Sequence, residues 1–137
     1  MDKLTRFGVS LEKELLSKFD LHIKKQNCPA RSKAIADLIR KELVKSEWIK
    51  GKTVVAAITL VYDHHKKKLI SKLIDIQHDT HGLIISSQHI HLDHNNCFEI
   101  IIVKGAPQKI KSLADKLKSV KGVKHSSLTA ATTGKEI

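Results

Sequence analysis

The segment SQHIHLDHNNCFEI, residues 87–100, holds the donors of a transition-metal site within a few positions of one another. His89 and His91 are one residue apart, and alternate residues of a strand project to the same face. Cys97 follows at the start of what reads as the next strand. A five-residue loop can fold its thiol back beside the two imidazoles. Such donors suit nickel, copper or zinc, whereas magnesium and calcium take oxygen ligands. The same residues also fit a plainer account, with two polar histidines on an exposed sheet face and one small buried cysteine. Seven of the nine histidines lie between positions 64 and 94. A second stretch, QHDTH at 77–81, closes a helix, where a positive histidine is favoured in any case. A hydrated loop or a helix start explains each of His64, His65, His94, His22 and His125.

The elements around these donors follow from hydrophobic period. TVVAAITLVY, 53–62, is nearly continuously apolar and reads as a central strand. A helix over 64–77 places Leu69, Ile70, Leu73 and Ile74 along one side. Strands over 82–91 and 97–105 flank the loop LDHNN. Pro107 opens a helix with Ile110, Leu113, Ala114 and Leu117 inward. A last strand spans 121–131 and a loose tail follows. The order β-α-β-β-α-β predicts a ferredoxin-like antiparallel sheet for residues 51–137, a scaffold that by itself fixes no function.

Residues 1–50 read differently. LTRFGVS, 4–10, is a short strand with Phe7 and Val9 apolar and Arg6, Gly8 and Ser10 on the other face. Ser10 is placed to cap a helix starting at Leu11, with Leu15, Leu16, Phe19 and Ile23 as its stripe. KKQNCPA is a turn before Pro29. A helix over 31–45 turns Ala34, Ile35, Leu38, Ile39 and Leu43 inward. This strand has no partner in its own domain, and a dimer pairing two copies supplies one.

The chain has 137 residues, with 25 Lys and Arg against 14 Asp and Glu, a formal net charge of +11 and a pI near 9.8. That balance favours anionic partners such as nucleic acid. Two cysteines make no disulfide framework, no apolar run is long enough for a membrane span, and the start is too polar for a signal peptide. The expectation is a cytoplasmic protein with free thiols.

RFGVSL (6–11), RSKAIADLIRKEL (31–43), YDHHKKKLISKLIDIQHD (62–79), SSQHIHLDHNNCFEIIIVKG (86–105) and GVKHSSLT (122–129) together resemble the nickel-responsive transcriptional regulator family. The resemblance implies an α+β protein with an N-terminal ribbon-helix-helix DNA-binding domain and a C-terminal ferredoxin-like domain of the ACT type. It implies a homotetramer, a dimer of dimers, that binds operator half-sites in double-stranded DNA when Ni(II) is bound and represses nickel uptake genes. It places the nickel ligands on His89, His91 and Cys97 of one subunit and His78 of a neighbour, in a square-planar site. Glu99 shares the Cys97 face and is expected, with Tyr62, to support those ligands.

The resemblance assigns DNA reading to Arg6, Gly8 and Ser10. A paired ribbon fits the major groove, and Arg6 can grip guanine in a bidentate fashion. Arg31, Ser32 and Lys33 open the second helix, whose free amides suit a phosphate. Three positions depart from the family pattern. Gly8 offers no side chain where a hydroxyl residue is common. Ala30 stands where a capping Asn or Ser is usual. Lys33 replaces a Glu that in some members helps the residue matching Asp37 hold a second cation, and its own charge can take that place. An ACT-type small-molecule-sensing regulator is the alternative, but it leaves the histidine cluster unexplained. A metal-dependent hydrolase needs an open metal position that four protein ligands on a square-planar ion deny, so no enzyme is expected.

Overall fold

The computed structural model describes residues 3–28, 30–80 and 82–137. The turn expected at Pro29 and the histidine at position 81 lie outside the described residues. The chain divides into two compact units, one ending at Lys41 and the other running from Glu42 to the C-terminus.

In the first unit, helix α1 spans Lys13–Lys25 and helix α2 begins at Arg31, extending to Lys50. Ser10 does not cap α1. Glu12 occupies that position, with no side-chain capping bond. The strand expected at 4–10 is not formed in the single chain. A strand is defined by its ladder, and nothing among the described residues of this unit offers one. Leu4 is 100% exposed and Phe7 68%. Ile23 and Ala34 are buried, but Leu15, Leu38, Ile39 and Leu43, all expected inward, stay exposed. Asn27 takes positive φ in the turn after α1, a conformation Asn tolerates better than most residues.

Helix α2 runs five residues past its expected end. It stops where Gly51 adopts φ +74 and the Lys52 amide bonds back to the Glu47 carbonyl. This is a glycine-terminated C-cap. The last turns of α2 are tied to the C-terminal segment, which is not the loose tail expected. Trp48 Nε1 donates to the Ala131 carbonyl at 2.8 Å, and Thr132 Oγ1 donates to buried Glu47 at 2.9 Å.

The second unit continues with β1 (Val54–Tyr62), α3 (Lys67–Asp79), β2 (Ile84–His91), β3 (Cys97–Gly105), α4 (Pro107–Ser119) and β4 (Val123–Ala130). The four strands form one antiparallel sheet in the order β2-β3-β1-β4, the order of a β-α-β-β-α-β ferredoxin-like fold. Strands β1 and β3 are central. Their alternate residues Val54, Ala56, Ile58, Leu60 and Tyr62, and Cys97, Glu99, Ile101 and Val103, are buried on one face. Leu69 and Leu73 of α3 and Ile110, Leu113, Ala114 and Leu117 of α4 belong to the same core.

Helix α3 starts three residues later than its apolar pattern suggests. Asp63 explains this, since its Oδ1 accepts the His65 amide at 2.9 Å and its carbonyl accepts that of Lys66. Such a side-chain turn competes with the first turn of a helix. The inward stripe of α3 is Leu69, Leu73 and the half-buried Ile76, and Ile74 is turned outward at 59% exposure.

Candidate metal centre and nucleic-acid interface

Strand register brings the expected donors together. His91 pairs directly with Cys97 across β2 and β3, and His89 pairs with Glu99. All four residues therefore project from the same face, at the end of the sheet where β1 finishes in Tyr62. His89 Nε2 lies 2.9 Å from Cys97 Sγ. A ligating nitrogen of His91 lies within 4.8 Å of that sulfur. Cys97 is fully buried, while His89 and His91 lie on an edge strand open to solvent.

The hairpin loop that returns the chain to Cys97 is braced. Asp93 accepts from the Asn95 amide at 2.8 Å and from Asn96 Nδ2 at 3.0 Å, and Lys124 Nζ donates to Asn96 Oδ1. The hydrogen bonds of Asn96 and Asn95 hold the Asp93 carboxyl below its usual value.

Behind the donors lies a polar network in an otherwise apolar core. Tyr62 Oη donates to Glu99 Oε1 at 2.7 Å and lies 3.4 Å from His89 Nδ1. Gln77 Nε2 donates to Glu99 Oε2 at 3.1 Å. Burial, then the hydrogen bond to Glu99, push the Tyr62 phenol well above its usual value, so Tyr62 stays a neutral donor. Glu99 thus shares the Cys97 face, and Tyr62 lies between it and His89. Gln77 was missed, and its place beside the expected ligand His78 was the available signal. Groups that grip the far side of a ligating imidazole fix its orientation.

His78 lies in the last turn of α3 and belongs to neither of the donor clusters found among the described residues. The sequence missed His64, which reads as a helix start. The Asp63 turn carries it into the site, where its nitrogen joins those of His91 and Cys97 Sγ within a 4.8 Å cluster. Its ring centroid is 4.5 Å from that of His91. Partial burial, then the neighbouring His65 and His91, lower the His64 pKa and favour the neutral, ligating form. Burial raises the Cys97 thiol, with the Asp63, Glu99 and Asp93 charges adding to it. Loading the cluster therefore releases a proton from sulfur. One thiol and several imidazoles fit a borderline or soft divalent ion such as nickel, and they fit magnesium or calcium poorly.

In the first unit, Arg6, Gly8 and Ser10 are exposed on the segment without a ladder, and open space surrounds the position a Gly8 side chain would take. At the start of α2, Ser32 is exposed, while the other two expected phosphate contacts are engaged within the chain. Arg31 donates to both Asp20 oxygens, at 2.8 and 2.6 Å. Lys33 Nζ bonds Asp37 Oδ2 at 2.9 Å, so the lysine ammonium occupies the place beside Asp37 that a free cation would need. These pairs hold both carboxyls below their usual range and both bases above theirs. The first turn of α2 carries no acidic residue to oppose an anion.

No helix among the described residues is long and apolar enough to cross a membrane. Among solved structures, the fold is similar to that of the uncharacterized protein TM1266 from Thermotoga maritima. That match has a TM-score of 0.53 and 16% identity, and covers 58% of this chain and 98% of the other. The family model of the NikR C-terminal nickel binding domain matches residues 55–131. A protein of Syntrophus aciditrophicus assigned as a nickel-responsive regulator is 54% identical over 134 residues, covering 98% of both chains. Another from Chlorobium limicola is 52% identical over 98% of this chain and 100% of its own. A third, from Desulfovibrio desulfuricans, is 48% identical over 100% of this chain and 99% of its own. With a family model over more than half of its length and full-length relatives near 50% identity, this chain belongs to the nickel-responsive regulator family.

Proposed function

We propose that this protein is a nickel-dependent DNA-binding transcriptional regulator of the cytoplasm, not an enzyme, which represses nickel uptake genes when Ni(II) is bound. The observation that carries the reading is the convergence of His89 and His91 on the buried Cys97 thiol in a chain of this family. His89, His91 and Cys97 of one subunit and His78 of a neighbour would hold the ion. When bound, nickel supplies bonds that exist only in the loaded state and that tie two subunits together. The chain's own residues prepare for this. Glu99 anchors Tyr62 and Gln77, Tyr62 steadies His89, and the braced 92–96 loop presents Cys97.

The assembly is a homotetramer built from two ribbon dimers. The exposed Leu15, Leu38 and Ile39 of the first unit support the dimer, since one chain leaves them uncovered. Paired copies of residues 4–10 would present Arg6, Gly8 and Ser10 to the major groove. The opening of α2 at Arg31, Ser32 and Lys33 would sit by the backbone, with Ser32 and the helix amides as the ungripped donors. Capture of genomic DNA fragments by nickel-loaded and metal-free protein tests this reading. Fragments carrying nickel-uptake promoters retained only by the loaded form are expected. Equal retention with and without nickel would overturn it.

A further inference from the structure

The sheet of the second unit has two edges. β2 carries His89 and His91, so the proposed nickel bridge would give that edge to a neighbouring subunit. β4 is the other edge and pairs only with β1. The Ala131 amide bonds the Val55 carbonyl at 2.8 Å, in the register that sets Ala57 against Thr129 and Thr59 against Ser127. Bonded and non-bonded pairs alternate along an antiparallel ladder. Thr129 and Ser127 therefore turn their backbone groups toward β1, while Ser126, Leu128 and Ala130 turn theirs to the open side. Such a row of N–H and C=O groups is a template for one more strand, and prolines, bulges or lysines usually blunt it. Val123–Ala130 holds no proline, and its register shifts only at the Val61/Tyr62 end. Its one lysine, Lys124, is drawn to Asn96 Oδ1 at 2.5 Å.

A groove of about 220 Å³ lies between this edge and α4. Lys111 and Lys118 line it from the helix with Asp115 between them, and Ser126 and Leu128 line it from the strand. Both lysines are exposed, and neither forms an ion pair among the described residues. Two ammoniums against one carboxylate leave the groove positive. Seven residues of helix rise about 10 Å, and alternate residues of a strand stand about 7 Å apart on one face. The long lysine stems span that difference, so the pair matches carboxylates at alternate positions of an added strand. On the opposite face Ser127 shares a hydrogen bond with Thr59, and Thr129 is exposed beside it. A second copy joined β4 to β4 would instead crowd the same lysines along one seam, where like charges oppose pairing.

We propose that the β4 edge and the groove between Lys111 and Lys118 form a docking site for an extended acidic segment of another protein, which adds a strand to the sheet with its carboxylates turned to α4. Main-chain bonds to Ser126, Leu128 and Ala130 would supply affinity, and the two lysines would select the segment by charge. The site rests on the fold of the second unit and is independent of what the Cys97 cluster binds.

The test uses the full-length protein and a short, fluorescein-labelled peptide of alternating glutamate and threonine. Fluorescence anisotropy should show saturable binding, and a peptide of alternating lysine and threonine should not bind. Lys111→Glu/Lys118→Glu should weaken binding at least several-fold. Ser126→Pro should do the same, because its amide faces the open edge and proline removes that donor with no bond lost inside the sheet. Hydrogen exchange at residues 124–130 should slow when the peptide is added to the unmodified protein. Far-UV circular dichroism checks that each variant is folded. The lysine variant alters only exposed side chains, so it decides the matter should the proline variant unfold. No saturable binding, binding that ignores the charge reversal, or binding that leaves exchange at 124–130 unchanged would each overturn the proposal. So would a fall in assembly mass with folded Ser126→Pro, which would give the edge to a second copy.

Discussion

The two units of this chain solve the problem of burial differently. From Glu42 onward, a central pair of strands and two helices close a core in which Ile58, Leu60, Ile101, Ile110 and Leu117 have no exposed surface. Up to Lys41, two amphipathic helices bury little beyond Ile23 and Ala34, and residues 4–10 form no strand ladder among the described residues. The second unit carries its donors ready assembled on paired strands. The first has its proposed recognition residues in the right alternation but lacks, among the described residues, the ladder that would align them. Donors built on hydrogen-bonded strands are held in place within one chain, whereas a ribbon takes shape only between two.

The sharpest way to break this comparison is to remove the sulfur. Cys97→Ala should abolish tight nickel binding and nickel-dependent DNA binding while far-UV circular dichroism stays native. Loss of helix and strand signal would mean that Cys97 acts through packing instead. In the first unit, Arg6→Ala should cost roughly 1–3 kcal/mol of discrimination between operator and scrambled DNA. An equal loss on every sequence would mean that Arg6 touches only phosphate. Trp48→Phe removes the bond to the Ala131 carbonyl and should lower stability to urea by about 0.5–1.5 kcal/mol, without shifting nickel affinity. The smallest effect is expected at Asp20. Its carboxyl is held below the ordinary 3.8 by Arg31, so the pair's contribution is present above that pH and is lost as pH falls through the lowered value. Asp20→Asn should therefore differ little from the parent in strong acid and be slightly less stable at neutral pH, as thermal melts would record.

Much of the second unit was legible in the sequence because its periods are clean. The nearly continuous apolar run of β1, the Pro107 start of α4 and the His89, His91, Cys97 spacing each follow from one local rule. What the sequence hid depends on side chains that override such rules. Asp63 captures an amide and delays α3, which moves His64 from a helix start into the site. Gly51 ends α2 later than its apolar stripe does, and Glu47 and Trp48 then hold down a tail whose composition suggests none of this. Ile74 continues the hydrophobic pattern of α3 but faces outward. In the first unit the opposite holds. The residues of the ribbon can be read from alternation, yet no single chain can display the ladder they imply.

The central claim is that nickel joins two subunits, with His78 from one and His89, His91 and Cys97 from another. Mixing a His78→Ala chain with a Cys97→Ala chain tests it directly, since neither can form a full site alone. After subunit exchange, verified by mass-tagged chains, some mixed tetramers should regain the thiolate–nickel band. They would use His78 from the Cys97 variant and the trio from the other chain. Proven exchange with no return of the band would contradict the account.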